Sequence, residues 1–192
     1  MTTILRLDSS ASGPASVTNR LNSLLVDTVG DGAEVIHRDL TTLPSLSAEL
    51  LAANNTPVTD RTAVQAELAT LADALIDELE RADVVIVAAP IYNFGVPSGL
   101  KAWMDLVARA GRTFRYTETG PEGLIGDKKT YVVSASGGVP LLSEADLVTP
   151  HVRTFLGFLG ISDITLIDSG GLAQDPTKVE QAEEQIRQLA TI

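Results

Sequence analysis

A chain of 192 residues has room for one domain with loop insertions rather than two domains, residues 1–192 forming a single core. Its 44% apolar and 20% charged residues are the composition of a folding chain, and a net charge of −11 is the wrong sign for nucleic acid or an anionic membrane surface. The absence of cysteine excludes disulfides, thiolate nucleophiles and Cys-held metal centres.

The opening MTTILRLDSSASG has one Arg and an apolar stretch that stops at Asp8, which fits neither a signal peptide nor a spanning helix, so a cytoplasmic protein is expected. Ile4, Leu5 and Leu7 predict a strand running into a Ser- and Gly-rich stretch, Asp8 to Thr18. Val17, Leu21, Leu24, Leu25 and Thr28 then recur at helical spacing. Ala33 to Asp39 reads as a second strand, and Val64, Leu68, Leu71, Leu75 and Leu79 as the stripe of a long amphipathic helix. Val84 to Ala89 is a β-branched run ending at Pro90, as expected of a central strand covered on both faces. The remaining elements are a helix over 100–108, a strand over 129–134, a helix over 147–159 and a strand over 164–167. A last helical stripe comprises Val179, Ala182, Ile186 and Leu189.

Five βα units in a chain of this length predict a doubly wound α/β fold, with a parallel sheet in the flavodoxin-like order 2-1-3-4-5 and helices on both faces. Segments 40–62 and 110–128 fall outside the alternation and read as elaborated loops. Ligands of such sheets sit beyond the carboxyl ends of the strands at the switch point, here beside strands 1 and 3.

The loops at that point carry the chemistry. Ser9, Ser10, Ser12, Ser16 and Thr18 crowd the first strand-to-helix turn, giving hydroxyls beside the free N–H groups of a helix N-terminus, a setting for a phosphate. A polar loop in which Ser16 merely caps the helix would look the same. Neither G-x-G-x-x-G nor G-x-x-x-x-G-K-[ST] is present, which disfavours dinucleotide and P-loop sites. Pro90-Ile91-Tyr92-Asn93-Phe94 offers an aromatic and an amide at the end of the strongest strand, either lining a flat heterocycle or turning into the core. Ser136-Gly137-Gly138 lets backbone approach a ligand, though Gly-Gly is also common in plain turns. Together the three loops suit flavin mononucleotide (FMN), with a phosphate cradle from one loop and polar contacts along the ring from the other two. Such a cofactor carries the chemistry itself, with no nucleophile or metal from the protein. His37 and His151 lack any metal-binding spacing, Asp8 lacks an acidic neighbour, and the acidic tail helix with Glu180, Glu183 and Glu184 reads as a solvated face.

Longer segments carry a specific likeness: Ala88-Ala89-Pro90-Ile91-Tyr92-Asn93-Phe94, Leu106-Val107-Ala108-Arg109-Ala110-Gly111, Thr113-Phe114-Arg115-Tyr116-Thr117-Glu118, Gly120-Pro121-Glu122-Gly123-Leu124 and Thr154-Phe155-Leu156-Gly157-Phe158-Leu159-Gly160. Through them the chain resembles, over nearly its whole length, the FMN-dependent NADH azoreductase and quinone reductase family, once labelled acyl carrier protein phosphodiesterases. The resemblance implies a homodimer with one FMN per subunit, reducing quinones and azo compounds with NADH or NADPH by ping-pong exchange. It places Ser10, Ser16, Val17 and Thr18 around the phosphate, Pro90 to Phe94 along the ring and ribityl chain, and Ala135 to Gly138 at the ring's polar edge. Phe114, Tyr116 and Phe158 would form an aromatic wall for flat substrates. Two departures stand out: Ser16-Val17-Thr18 where many members have Ser-Gln-Ser, and Ala135-Ser136 where they have Ser-Arg. Trp103, often Tyr in the family, and Phe158 are expected to face the partner subunit, which completes each pocket. The alternative is a flavodoxin-type carrier passing single electrons to protein partners, against which the 110–128 segment and the 154–160 run argue by building a pocket.

Overall fold

The computed structural model describes residues 1–189; the last three residues of the expected domain, 190–192, lie outside it. Five parallel strands form the main sheet: β1 (Thr3–Asp8), β2 (Glu34–Asp39), β3 (Val84–Ala88), β6 (Lys129–Ala135) and β7 (Ile164–Ser169), in the order β2-β1-β3-β6-β7. Counting these five alone, that is the expected 2-1-3-4-5. Register follows from burial: Leu5 lies between Ile36 and Val85, and Tyr131 between Ile86 and Thr165.

Side chains alternate across each strand and feed two cores. Ile4, Val84, Ile86, Tyr131 and Val133 meet Leu21, Leu25 and Val29 of α1 (Val17–Val29) and Ala182 and Ile186 of α6 (Lys178–Arg187). Leu5, Leu7, Val85, Val87 and Val132 point the other way, onto α3 (Ala63–Arg81), α4 (Ser98–Val107) and α5 (Val148–Phe158). The helix starts are written locally. Ser16 caps α1 by accepting from the Asn19 N–H at 3.1 Å, and Thr62 and Gln65 form a reciprocal capping box on α3. Among the described residues, no helix is long and apolar enough to cross a membrane.

Four expectations are corrected. Segment 40–62 is not all loop: it holds α2 (Ala48–Asn55), capped by Ser47, and a single 3-10 turn at Val58–Asp60. α2 buries Leu50 and Ala53 but leaves neighbouring Leu51 in water, so its eight residues carry no stripe to read. Segment 110–128 contains an antiparallel hairpin of β4 (Phe114–Thr117) and β5 (Gly120–Gly123), hidden because Gly-Pro-Glu-Gly has none of the composition of a strand. The hairpin packs so closely on the end of α5 that a Cβ on Gly123 would lie 2.1 Å from the Gly160 nitrogen. On α3, Val64 and Leu68 of the predicted stripe are exposed. The buried face is completed by Ala69, Ala72 and Ile76, whose small members escape a stripe built from Leu and Val.

Trp103 is the fourth. Expected at a subunit interface, it is 1% exposed within this one chain, set edge-on to Phe155 with ring centroids 6.1 Å apart. The expectation carried over from the resemblance left out α5, which covers that side of α4. Phe158 is half-buried and packs in the same core.

Candidate functional site

The carboxyl ends of β1, β3 and β6 are stitched together before any ligand is considered. Ser9 donates its hydroxyl to the Ala88 carbonyl at 2.6 Å, Ser134 to the Ala89 carbonyl at 2.8 Å, and the Ile91 N–H to the Ala135 carbonyl at 2.9 Å. Behind the first loop, buried Asp8 accepts from Arg6 (2.7 Å from Nη2), Asn22 (2.8 Å) and His37 (3.0 Å). Asp8 and His37 therefore brace the loop from behind.

In front of this frame opens a cleft of about 300 Å³, lined by Ser10, Ser16, Val17, Thr18, Pro90, Ile91, Tyr92, Ala135, Ser136 and Gly137, with Ser12, Ala15 and Leu172. Among the described residues, no charged side chain is in its wall. Its donors are hydroxyls and backbone. The Val17 and Thr18 N–H groups at the start of α1 have no acceptor among the described residues, as the geometry of a helix N-terminus requires, and they carry its positive dipole end. Ser16 Oγ lies 3.1 Å from Thr18 Oγ1. Across the cleft, the Gly137 and Gly138 N–H groups also find no acceptor among the described residues, and a Cβ on either would meet nothing within 4 Å. The chain leaves open both the donors and the space in front of them.

Tyr92 joins two of the loops. Its hydroxyl is 2.8 Å from Ser10 Oγ and 3.5 Å from Ser12 Oγ. Burial pushes the phenol pKa up, but these hydroxyls and the backbone of Ala11 and Ser12 outweigh burial and hold it below the usual tyrosine value.

Three proposed contacts lie outside the cleft wall: Asn93, Phe94 and Gly138. The reason for the first two is a tight turn in which Tyr92 and Gly95 exchange both N–H···O bonds at 3.0 and 2.9 Å, driving Asn93 to φ 50° and Phe94 to φ 67°. Non-glycine residues there cost about 1–3 kcal/mol each, and the result is a Phe94 ring 56% exposed at the mouth of the site. The Ser136 hydroxyl is turned inward, accepting from the N–H groups of Val139 (3.0 Å) and Gly171 (3.1 Å) and donating to the Val139 carbonyl, so it offers backbone rather than side chain to the cleft. Leu172, which no strand or motif signal singled out, arrives because its N–H binds the Ser136 carbonyl at 3.1 Å.

Phe114, Tyr116 and Phe158 are brought together, with centroids 5.4 Å apart for Phe114–Tyr116 and 4.4 Å for Phe114–Phe158. Phe114 is buried and only Tyr116, 77% exposed, presents its ring to solvent; none of the three lines this cleft.

The cradle fits a phosphate monoester with a planar group beyond it. Uncharged donors converge at a helix N-terminus, there is space in front of paired glycines, and no acidic side chain in the wall repels the anion. Comparison with known proteins gives the same direction. The family described as having a flavodoxin-like fold matches residues 2–191. A protein of Jannaschia sp. (strain CCS1) named FMN-dependent NADH:quinone oxidoreductase 1 is 47% identical over 192 residues, covering 99% of this chain and all of that one. One of Erythrobacter litoralis (strain HTCC2594) named FMN-dependent NADH:quinone oxidoreductase is 44% identical with the same coverage. The crystal structure of an azoreductase from Bacillus anthracis str. Sterne superposes with a TM-score of 0.85 at 25% identity, over 98% of this chain and all of the other. An FMN-dependent NADH-azoreductase from Bacillus anthracis str. Ames Ancestor, solved in complex with FMN, shares the fold with a TM-score of 0.80 at 24% identity, over 97% and 96% of the two chains. The chain therefore belongs to the family of FMN-dependent NADH:quinone oxidoreductases, built on the flavodoxin-like fold.

Proposed function

We propose that this protein is an FMN-dependent oxidoreductase that uses NADH or NADPH to reduce quinones and azo compounds. The observation that carries the reading is the cleft at the switch point, whose walls hold only hydroxyl and N–H donors. Ser10, Ser16, Thr18 and the Val17 and Thr18 N–H groups would hold the phosphate. Pro90, Ile91 and Tyr92 would flank the ribityl chain and ring, with the exposed Asn93–Phe94 turn reaching over the opening. Ala135 to Gly138 would meet the ring's polar edge, where the two glycine N–H groups hold negative charge without a protein cation. FMN, when bound there, supplies the capacity to take a hydride from the nicotinamide and give it to an acceptor.

The protein's remaining work is selection and positioning. Donor and acceptor would use one opening in turn, a ping-pong order, and cleavage of an azo bond to two amines would consume two donors. Recognition by stacking on Phe94 and Tyr116 would admit many planar molecules. Because the Phe114–Tyr116–Phe158 cluster stands apart from its own chain's cleft, we assign its exposed member, Tyr116, to the wall of a partner's cleft in a homodimer, with Phe114 and Phe158 supporting it from within, an assignment that does not involve Trp103.

The test is steady-state oxidation of NADH and NADPH by the FMN-loaded protein with a panel of quinones and azo dyes. The reading expects quinone-dependent turnover with saturation in both substrates and parallel double-reciprocal lines. NADH oxidation no faster with a quinone than without one, alongside electron transfer to a redox protein, would instead establish the carrier.

A further inference from the structure

The loop after β7, residues 170–174, grips the loop after β6 carbonyl by carbonyl. The Leu172 N–H donates to the Ser136 carbonyl at 3.1 Å and the Ala173 N–H to the Gly137 carbonyl at 2.8 Å. The Gln174 side-chain amide reaches the Gly138 carbonyl at 3.3 Å. The Ser136 hydroxyl closes the joint, accepting the Gly171 N–H at 3.1 Å and the Val139 N–H at 3.0 Å. Packing is equally tight: a Cβ on Gly170 would lie 1.9 Å from Leu141 Cδ1 and 2.8 Å from the Val139 carbonyl oxygen, and Gly171 turns at φ 72°.

A trans peptide group is planar, so its N–H points opposite to its C=O. Holding the Ser136 and Gly137 carbonyls toward 172–173 therefore aims the N–H groups of the next residues, Gly137 and Gly138, the other way. Because β7 lies at the sheet edge beyond β6, that direction leads toward β3 and the cleft between the loops. Successive N–H groups aimed together make a small nest that favours negative charge. Neither Gly137 nor Gly138 has a positive φ, and a Cβ on either would meet nothing within 4 Å. Nothing in the chain's own conformation or packing calls for glycine at these two positions, whereas the close approach of a ligand to their backbone does.

We propose that loop 170–174 is a positioning device for the redox potential of the cofactor: by fixing the carbonyls behind them, it aims the Gly137 and Gly138 N–H groups at the polar edge of the flavin and favours reduced over oxidised FMN. This role rests on FMN lying as proposed above, and it needs no contact between the loop and the ring. Negative charge gathers at that edge on reduction, and dipoles already fixed in direction meet it without reorganising. A peptide free to turn would present its carbonyl oxygen to the same charge and repel it. Leu172 and Ala173, through their N–H groups, and Ser136, through its hydroxyl, are thus positioning residues.

The test separates the Leu172 N–H from its side chain. Leu172 is the second residue of the turn closed by the Gln174 N–H on the Gly171 carbonyl (2.9 Å), a place that suits proline. Leu172→Pro deletes the N–H that holds the Ser136 carbonyl, whereas Leu172→Ala shortens the same side chain and keeps it. For each protein the Kd of oxidised FMN is titrated by flavin fluorescence, and the potential of bound FMN is read by anaerobic equilibration with reference dyes. Leu172→Pro is expected to lose about tenfold more affinity for reduced than for oxidised FMN, which is a two-electron potential about 30 mV more negative than the parent's. Leu172→Ala is expected to keep the parent potential, and Ser136→Ala, which releases the Gly171 N–H, to lower it. An unchanged or raised potential in folded Leu172→Pro, or an equal fall in Leu172→Ala, would overturn the inference. If Leu172→Pro does not fold, Ser136→Ala decides, and an unchanged potential there overturns it. Failure of the parent to bind FMN at all is a different result, which overturns the placement of the cofactor and this role with it.

Discussion

Ser16 holds two positions at once, cap of α1 and wall of the cleft, and a single substitution separates them. Its Oγ accepts the Asn19 N–H at 3.1 Å, so Ser16→Ala removes a cap worth about 1 kcal/mol together with any ligand contact, and a loss of FMN would have two explanations. Ser16→Asp keeps the cap, because Asp ranks with Ser at that position and its charge suits the helix dipole. It also puts a negative charge in the cleft wall where a phosphate is proposed. Unit charges about 4 Å apart at an effective dielectric of about 20 interact by roughly 4 kcal/mol, on the order of a thousandfold in Kd. The apoprotein of Ser16→Asp should therefore melt within about 2 °C of the parent while its affinity for FMN, titrated by quenching of flavin fluorescence, collapses. Tight FMN binding by a normally folded Ser16→Asp protein would refute the placement of the phosphate at this helix, and a destabilised apoprotein would refute the account of the cap.

Removing the Tyr92 hydroxyl strips buried Ser10 of its partner, so Tyr92→Phe should weaken FMN by about 0.5–1.5 kcal/mol, read as a several-fold rise in Kd by the same titration. Ser16→Ala with Thr18→Ala should weaken it by about 1–3 kcal/mol, with the share due to capping measured separately in the apoprotein melt. Trp103→Glu should unfold the protomer, in keeping with the 3–5 kcal/mol typical of losing a buried large aromatic, whereas Trp103→Phe, which also removes an unpaired buried N–H, should fold; urea midpoints of the two decide it. Asp146 accepts from the N–H groups of Leu142, Val148 and Thr149. Burial pushes its pKa up, but these bonds prevail and lower it. With the folded pKa below the unfolded one, its stabilisation is complete above about pH 4 and is lost as pH falls through the folded value. Asp146→Asn should flatten the acid limb of stability against pH, and an unchanged limb would remove Asp146 from the account.

Much of this protein is legible in the sequence because local patterns report directly on burial. The run Val84 to Ala89 can only be a strand covered on both faces, and Ser16 and the Thr62–Gln65 pair mark helix starts by the donors they satisfy. Strands alternating with helices commit the chain to parallel crossovers, which brings the loops after β1, β3 and β6 to one edge. The serines of residues 9–18, Pro90 to Tyr92 and Ala135 to Gly137 are thereby neighbours before any coordinate is known. The pattern carries no information on what covers a face. Trp103 has the same helical phase whether it meets a second subunit or Phe155 of its own α5, and the alanines of α3 are buried although no stripe of large apolar residues marks them. The hairpin that displays Tyr116 exists because the backbone at Gly123 and Gly160 makes close contact, which Gly-Pro-Glu-Gly does not announce. The outward turn of Phe94, the inward turn of the Ser136 hydroxyl and the pairing of Arg61 with Arg109 over a single Asp73 are likewise decisions of tertiary structure. Each depends on partners distant in the chain, whose distances and charges no local periodicity encodes.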